Sequence, residues 1–385
     1  MPAIVIVGAG VMGASTAWHL ASRGCRDVLL LDRGAAPGSG STSRATGGFR
    51  AQFATAINVR LSLLAREKLR RFGEEVGGDC GYQARGYLWL ASTDAELTAL
   101  ARARVVQHAE GLDEAVAVSP QDIARLNPAV GLDQVAGGAY CPTDGFIGPS
   151  GILDGYLDAA VRLGVKARWE TTVTGIAANR DGRATAVSTT AGAIGCDVVV
   201  NACGAWAGQL ARASGFDPPV TPLRRQVAAT VETGVLPAGM PMTIFTADGF
   251  HLRTRDGRAL LLWPTPGVPG DPFATPVDDG WIAEVTARAR ARLPVLGGVP
   301  IDRAACWAGL YEMSPDGHAI LGPAPGCPNL FLINGSSGHG VMHAPALGHL
   351  LADAILGDPA ETMDVTPLRP SRFADGDPNP VSELL

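Results

Sequence analysis

Three glycines and an acid form the first group of residues that could do chemistry. Residues 8–13 read GAGVMG, and Asp32 follows about 20 residues later. Glycines in such a turn let backbone N–H groups approach a pyrophosphate at a helix N-terminus, and the acid accepts hydrogen bonds from ribose hydroxyls. An acid there disfavours a 2′-phosphate, so the pattern predicts a site for FAD or NAD, not NADP. An ordinary tight turn is the alternative.

A second group of polar residues occupies 40–53, GSTSRATGGFRAQF, and includes Arg44 and Arg50. In a nicotinamide enzyme, the ribose-binding strand is normally followed by another helix and strand, whereas here the chain enters a polar glycine loop. A second set of donors suits FAD, which must be held along its pyrophosphate, ribityl chain and ring. A solvated surface loop is the alternative.

A third group, GSSGHG at 335–340, lies between the apolar run LFLIN and a helical pattern. The unpaired N–H groups at a helix N-terminus would stabilise the negative charge of a reduced flavin, although a helix start without a ligand is the alternative. His339 and His343 are four residues apart on this helix. Because no third ligand lies nearby, we predict no metal site.

The elements around these groups predict an α/β chain with a β-rich insertion. Residues 4–7, IVIV, have the all-apolar character of a parallel strand buried on both faces. Short strands alternate with turns over 164–200 and again over 218–310, where a Pro/Gly-rich loop at 264–276 is included. Residues 361–385 lack periodicity and are predicted to be an extended, partly mobile tail.

Composition excludes several classes of protein. The 385 residues are 46% apolar and carry a net charge of −6, which gives no reason to expect a nucleic-acid partner. No apolar run is long enough to span a bilayer, and no export signal is visible at the N-terminus. The seven cysteines are scattered without a C-x-x-C pair, so we expect reduced thiols in a cytoplasmic protein.

Four segments, in this order, resemble the FAD-dependent D-amino-acid oxidase superfamily, and most closely the branch with sarcosine oxidase β-subunit, glycine oxidase and proline dehydrogenase. They are VGAGVMGASTAWHLASRG, GSTSRATGGFRAQF, VVVNACGAWA at 198–207, and WAGLYEMSPDGHAILGP at 307–323 with INGSSGHGVMHAPALGHLLADAIL at 333–356. Together they span almost the whole chain. They are specific for the superfamily but poorly specific for the substrate.

The resemblance implies an α/β (α+β) architecture with two domains. A discontinuous Rossmann-type FAD-binding domain would comprise 1–79, 145–217 and 312–368. A substrate domain built on a mainly antiparallel sheet would comprise 80–144 and 218–311, and residues 369–385 would form a tail.

The resemblance and the motifs together assign candidate site residues. The cofactor-binding candidates are Gly8, Gly10, Val11, Met12, Gly13, Asp32, Arg33, Ser41, Thr42, Ser43, Arg44, Gly47, Gly48, Val173, Cys203, Gly204, Trp206, Gly338, His339, Gly340, Val341 and Met342. The catalytic or substrate-binding candidates are Arg50, His251, Arg253, Tyr311 and His339. An arginine can hold a carboxylate by two parallel hydrogen bonds. A structural or phosphate-binding role is an equally good interpretation of Arg50, and either residue at 251 or 253 could lie on the sheet surface.

Two departures from the family bear on the substrate and the acceptor. A lysine that helps to hold the substrate carboxylate in monomeric sarcosine oxidases is replaced by Met342, and the family's oxygen-activating lysine has no counterpart in RALLLWP. The first departure indicates a more apolar or differently held substrate, and the second favours an electron acceptor other than O₂ or slow oxidation by O₂. In monomeric sarcosine oxidases a cysteine binds the flavin covalently, and the matching position here is Gly309. In dimethylglycine-dehydrogenase-like relatives a histidine does so from a loop that matches residues 43–46, which contain no histidine or cysteine. We therefore predict non-covalent FAD.

The sequence thus predicts an FAD-dependent oxidoreductase that oxidises the C–N bond of an amino acid or secondary amine to an imine, which water then hydrolyses. One alternative is a subunit that works only in a hetero-oligomeric amine, proline or opine dehydrogenase. Another is a non-catalytic FAD-binding structural or sensor protein, and a nicotinamide dehydrogenase is a third. The sequence leaves the homo- or hetero-oligomeric state open.

Overall fold

The structure is a computed structural model that describes residues 3–212, 215, 218–264, 270–358 and 363–382. The helices in this part of the chain are α1 (Val11–Ser22), α2 (Ala56–Arg70), α3 (Phe72–Glu75), α4 (Asp94–Ala109), α5 (Pro120–Leu126), α6 (Pro149–Arg162), α7 (Ala207–Arg212), α8 (Asp279–Arg292) and α9 (Gly340–Leu356). The strands are β1 (Ile4–Val7), β2 (Val28–Leu31), β3 (Gly48–Phe49), β4 (Tyr87–Ala91), β5 (Val116–Val118), β6 (Gly137–Cys141), β7 (Gly145–Phe146), β8 (Lys166–Arg168), β9 (Val173–Ala178), β10 (Ala184–Thr189), β11 (Gly192–Gly195), β12 (Val198–Asn201), β13 (Thr221–Ala229), β14 (Met242–Phe245), β15 (His251–Arg255), β16 (Arg258–Leu262), β17 (Trp307–Met313), β18 (Ile320–Ala324) and β19 (Cys327–Asn334).

The first large sheet is mainly parallel and has the order β18-β19-β12-β1-β2-β8. Only the β18–β19 pair is antiparallel among these described strands. The central strands β1 and β2 are buried at every position, as their all-apolar sequences IVIV and VLLL require. Strand β1 pairs in parallel with β2 and β12. The glycine turn that follows β1 therefore lies at the carboxyl edge of the sheet, near its centre.

The second large sheet is mainly antiparallel and has the order β17-β13-β16-β15-β14-β4-β6-β5. Its single parallel pair among the described strands joins β14 to β4. A smaller antiparallel sheet, β11-β10-β9, and the two-stranded pair β3–β7 complete the strand pairing. The β3–β7 pair is important for the site because it holds Phe49, the residue before Arg50, against Gly145.

Helix α1 packs against both α6 and α9, so that the first glycine turn and the third glycine loop share one core. The approach of α1 to α9 is close, since a Cβ at Gly348 would lie 2.3 Å from the Ser15 Oγ atom. The Ser15 hydroxyl donates a hydrogen bond to the Ala344 carbonyl at 2.8 Å. These contacts fix the N-terminus of α9 relative to the N-terminus of α1.

The segment after α9 differs from the extended tail that the sequence predicted. Short 3₁₀ turns form at Thr366–Leu368 and Pro370–Phe373. The Arg372 side chain is fully buried and makes two hydrogen bonds to the Asp316 carboxylate, at 2.8 and 2.9 Å. A low-hydropathy segment can thus be ordered by one buried ion pair, which periodicity does not reveal.

These observations confirm the predicted α/β fold class with one mainly parallel and one mainly antiparallel sheet. The boundaries of the two domains stay a prediction, and residues 265–269 of the predicted loop at 264–276 lie outside the described residues. No helix in the described ranges has the length and apolar character needed to cross a membrane. All seven cysteines are free thiols.

We predict that Arg372→Ala lowers the free energy of unfolding by about 3–5 kcal/mol, because it leaves the buried Asp316 carboxylate without its cation. Urea unfolding followed by circular dichroism measures this change. Arg369→Ala is the matched control, since Arg369 pairs with Asp375 and Asp377 at the surface, where such pairs contribute about 0–1 kcal/mol. Equal losses in the two variants would contradict the assignment of the buried pair as the anchor.

Candidate functional site

One cavity of about 830 Å³ is lined by residues from both large sheets and from all three glycine-containing groups. Its wall includes the predicted residues Gly8, Gly10, Val11, Met12, Asp32, Arg33, Ser41, Thr42, Arg44, Gly47, Gly48, Arg50, Val173, Cys203, Gly204, Trp206, His251, Tyr311, Gly338, His339, Gly340, Val341 and Met342. Gly13, Ser43 and Arg253 do not belong to the described wall. The structure thus gathers most of the predicted residues around one space, while their individual roles stay predictions.

The first glycine turn shows which of its glycines serve the fold and which faces the cavity. Gly8 has a φ of +104°, and a Cβ there would lie 2.4 Å from the Ala202 carbonyl oxygen. A Cβ at Gly13 would lie 1.9 Å from the Gly8 carbonyl oxygen. At Gly10, by contrast, a Cβ would meet only the Thr42 Oγ1 atom, at 3.4 Å. Gly10 therefore leaves backbone open to the cavity without a packing reason, which fits the approach of a pyrophosphate.

Asp32 follows β2 and points its carboxylate at the same turn. Its two oxygens accept hydrogen bonds from the backbone N–H groups of Ala9 and Gly34, both at 2.7 Å. Each carboxylate oxygen has a second lone pair, so the group can still accept from ribose hydroxyls. Nearby, the Arg33 guanidinium stacks 4.1 Å from the centroid of the Trp206 ring. The residues at this end of the cavity fit the adenosine half of a dinucleotide.

The polar loop is fastened to the second sheet by its own donors. The Ser41 hydroxyl donates to the Leu310 carbonyl, and the Arg44 guanidinium donates to the Ala308 carbonyl, both at 2.7 Å. The Trp307 indole N–H donates to the Arg44 carbonyl at 2.8 Å. Donors that we expected to meet a ligand thus hold the loop against β17.

Arg253 contributes to the same fastening from β15. Its Nη1 atom donates to the carbonyls of Thr46 and Gly47 at 2.7 and 3.1 Å, and its guanidinium stacks 3.6 Å from the Phe146 ring centroid. The residue, predicted as a substrate candidate, lies behind the loop and positions it. Gly47 needs its φ of +74° and lacks space for a Cβ, which would lie 2.3 Å from the Ile147 carbonyl oxygen.

Arg50 presents a buried positive charge at the cavity. Its guanidinium donates to the Gln52 carbonyl at 2.9 Å and to His339 Nε2 at 3.2 Å, and it stacks 4.0 Å from the Phe53 ring centroid. No carboxylate within the described chain forms an ion pair with it. Burial lowers the pKa of Arg50 to about 10, while Tyr87 and Asp144 act to raise it. Arg50 therefore stays charged at neutral pH and has only neutral contact partners.

His251 and Tyr311 lie near the same charge. His251 Nδ1 donates to the Gly249 carbonyl at 2.8 Å, which leaves Nε2 as an acceptor. Burial, with smaller effects of Arg50 and Arg225, lowers the pKa of His251 to about 4, so its ring is neutral at pH 7. Burial raises the pKa of Tyr311, and both arginines oppose that shift.

His339 is also neutral at pH 7. It accepts a hydrogen bond from Arg50 at Nε2, and burial followed by the Arg50 charge lowers its pKa well below the ordinary value. His343, one turn along α9, is buried with its Nε2 atom 2.8 Å from the Ser62 hydroxyl. The described ranges contain no cluster of three or more His, Cys, Asp or Glu side chains that could hold a metal ion.

Several wall residues were missed by the sequence reasoning. Asn58 is 3% exposed in the first turn of α2 and lines the cavity. Tyr87 on β4 and Glu312 on β17 also line it. Asp144 lies behind the wall and accepts from the Ala51 N–H at 2.7 Å. No motif marks these positions, because each fits an ordinary helix, strand or turn pattern.

The comparisons with known proteins agree with one another along almost the whole chain. The family model DAO, FAD dependent oxidoreductase, matches residues 3–354. Mitochondrial dimethylglycine dehydrogenase of Rattus norvegicus is 30% identical over 393 residues, which cover 96% of this chain and 44% of that protein. Glycine oxidase of Geobacillus kaustophilus is 28% identical and is matched over 92% of its length by 91% of this chain. The chain spans less than half the length of the dimethylglycine dehydrogenases that it matches.

Two solved structures share the fold at near full length. L-proline dehydrogenase from P. horikoshii superposes with a TM-score of 0.90 at 27% identity, covering 98% of each chain. Glycine oxidase from Geobacillus kaustophilus superposes with a TM-score of 0.83 at 26% identity, covering 96% of this chain and 98% of that one. The resemblance stated from the motifs is therefore confirmed at the level of the family.

We predict that Asp32→Ala loses bound flavin without unfolding, because a carboxylate contributes roughly 1.5–3 kcal/mol for each charged hydrogen bond to a ligand. Flavin absorbance per chain after gel filtration measures the loss, and circular dichroism checks the fold. Asp27→Ala is the control, since Asp27 accepts from the Ala3 N–H at the opposite end of β2. Full flavin content in Asp32→Ala would show that this strand does not bind the nucleotide.

Proposed function

The chain belongs to the DAO family of FAD-dependent oxidoreductases, and from this membership we propose that it oxidises the C–N bond of an amino acid or a secondary amine. The observation that carries the proposal is the buried Arg50 charge, which faces the cavity without an acidic contact partner. A substrate carboxylate would supply the missing anion. The names of relatives such as glycine oxidase and dimethylglycine dehydrogenase point to substrates of this class.

FAD fits the residues of the cavity. Gly10 and the N-terminus of α1 would meet the pyrophosphate, Asp32 the ribose, and the loop at 335–340 the ring. When bound, FAD supplies the acceptor for a hydride from the carbon next to the substrate nitrogen.

The side chains of this protein would orient the substrate. Arg50 would hold the carboxylate, and its contacts to Gln52, His339 and Phe53 fix the guanidinium before the substrate arrives, which lowers the entropic cost of binding. The neutral His251 Nε2 atom would accept a hydrogen bond from the amine N–H. With a pKa of about 4 it is too weak a base to take a proton from an ammonium group, so it favours substrate that is already neutral.

Anaerobic mixing with amino acids and N-alkyl amino acids tests the proposal. Loss of the oxidised flavin absorbance on mixing with one of them is the expected result. If none bleaches the flavin of the purified chain, a partner-dependent subunit and a non-catalytic FAD protein become the better interpretations. Reduction of the same sample with dithionite gives the absorbance of fully reduced flavin and shows that the bound cofactor can be reduced.

We predict that Arg50→Ala weakens a carboxylate inhibitor by about 2–5 kcal/mol, the usual effect of truncating one half of a buried hydrogen-bonded charge pair. Flavin spectral titration measures the affinity. The carboxamide analogue of the same inhibitor is the matched control and should lose far less. If flavin content falls while inhibitor affinity is kept, Arg50 belongs to the cofactor shell.

We also predict that the FAD is non-covalent. Gly309 occupies the position of the cysteine that binds flavin covalently in monomeric sarcosine oxidases. Cys306 is not part of the described cavity wall, and its Sγ atom donates to the Asp302 carbonyl at 3.3 Å. The Cys203 thiol lines the cavity, but it donates to the Val7 carbonyl and burial raises its pKa to about 12. Acid precipitation should leave yellow supernatant and a colourless pellet. A chain mass increased by one flavin would overturn this prediction.

A further inference from the structure

Glu312 is an acid in a cavity that must accommodate the two negative charges of a pyrophosphate. Two other carboxylates line the same cavity. Asp32 is bound by two backbone N–H groups, and Asp316 is paired with the buried Arg372. Glu312 has no ion pair within the described chain. Its presence beside the cofactor needs an explanation that the proposed substrate chemistry does not give.

The Glu312 carboxyl lies where three chain segments meet. Oε1 accepts from the Ser336 N–H at 3.3 Å, while Oε2 is buried without a hydrogen-bond partner. Two glycines leave the space around it open, since a Cβ at Gly204 or at Gly340 would lie 3.8 Å from a carboxyl oxygen. The carboxyl is therefore placed between the turn after β12 and the N-terminus of α9, with one oxygen lacking a partner.

Among the described residues, no Lys, Arg or His side chain forms an ion pair with Glu312. The turn after β12 presents the Cys203 thiol, which donates to the Val7 carbonyl. Met12 and Ser336 share the space around Gly340 with Glu312, since a Cβ at Gly340 would lie 3.4 Å from Met12, 3.5 Å from Ser336 and 3.8 Å from Glu312 Oε1. Arg44, from the loop packed against β17, donates to the Ala308 carbonyl.

The remaining charged neighbours lie along β17 and β13. Tyr311, the preceding residue on β17, carries Arg225 of β13 near its ring, at 5.8 Å from the centroid. Burial raises the pKa of Glu312 to about 7, against the hydrogen bond from the Ser336 N–H, which acts to lower it. A carboxyl in these surroundings gains more from a proton than from ionisation once a phosphate arrives.

We infer that Glu312 is protonated in the FAD complex and that its carboxyl O–H donates a hydrogen bond to the ribityl–pyrophosphate linker of the cofactor. Binding of FAD then takes up one proton from solvent at a pH where the free protein has Glu312 ionised. The sign follows from linkage: the neutral form is favoured in the complex, so FAD affinity is full below the pKa of the free protein and falls above it. The inference rests on the cofactor and not on the proposed substrate.

The pH dependence of FAD binding to apoprotein tests the inference. For the wild type we expect the Kd to rise by up to about tenfold per pH unit between pH 7 and pH 9, and to be flat below pH 6. Glu312→Gln keeps a neutral donor of the same shape and should bind FAD with a Kd that does not change with pH, and more tightly than the wild type at pH 9. Glu284→Gln, in an exposed pair with Arg288 on α8, should behave as the wild type.

Calorimetry on the wild type supplies a second measurement that does not depend on the variant folding. FAD titrations at pH 8 in two buffers with different ionisation enthalpies should show uptake of close to one proton, and none at pH 5.5. Equal pH slopes for wild type and Glu312→Gln, or no proton uptake at pH 8, would overturn the inference and assign Glu312 as an ionised acceptor. Neither measurement uses an amine substrate. The result for Glu312 is therefore independent of whether the proposed amine oxidation is confirmed.

Discussion

The fastening of the polar loop at residues 41–47 to the second sheet is the interaction on which the cavity depends. The loop leaves the first sheet after β2, and the Val11 N–H donates to its Thr42 hydroxyl. From the other side, Arg253 and Trp307 donate to its carbonyls. Hydrogen bonds from charged donors contribute about 1.5–3 kcal/mol each, so Arg253 alone is a substantial constraint. The loop thereby connects the two sheets along the cavity wall. Its fixed position also constrains Arg50, which follows the loop and β3 in the chain.

The sequence predicted well those features that local patterns determine. The buried strands β1 and β2, the glycine turn between them and the helix α1 follow from apolar runs and glycine spacing that few other structures satisfy. The helix predicted after the third glycine group is observed as Gly340–Leu356. In each case the residues that decide the structure are neighbours in the chain.

The features that the sequence did not predict depend on distant contacts. Arg253 lies on β15, and its acceptor at Thr46 is 207 residues away in the chain. The partner of Arg372 is Asp316, 56 residues earlier, and nothing in the composition of the C-terminal segment marks that pair. Asn58 reads as an ordinary polar residue at a helix start. Only the packing of α2 places Asn58 in the cavity wall.

Burial affects the charge at neutral pH of three residues that line the cavity. It lowers the pKa of Arg50 to about 10, which leaves the guanidinium charged, and it lowers that of His251 to about 4, which leaves the imidazole neutral. It raises the pKa of Glu312 to about 7, which removes much of a negative charge. The same desolvation therefore preserves the cation and suppresses the acid, because arginine starts so far above neutral pH and glutamate only a few units below it.

Under the proposed function, one cavity would bind two different anions, a phosphate of the cofactor and a carboxylate of the substrate, with two different kinds of donor. In the proposed complex with FAD, a phosphate would be met by backbone N–H groups around Gly10, which are fixed dipoles without a titratable proton. In the proposed function, a carboxylate would be met by the full charge on Arg50, whose fork geometry matches two oxygens. The fastened loop contacts the first glycine turn through Thr42 and is followed in the chain by Arg50, so under this proposal it would fix both kinds of donor relative to each other.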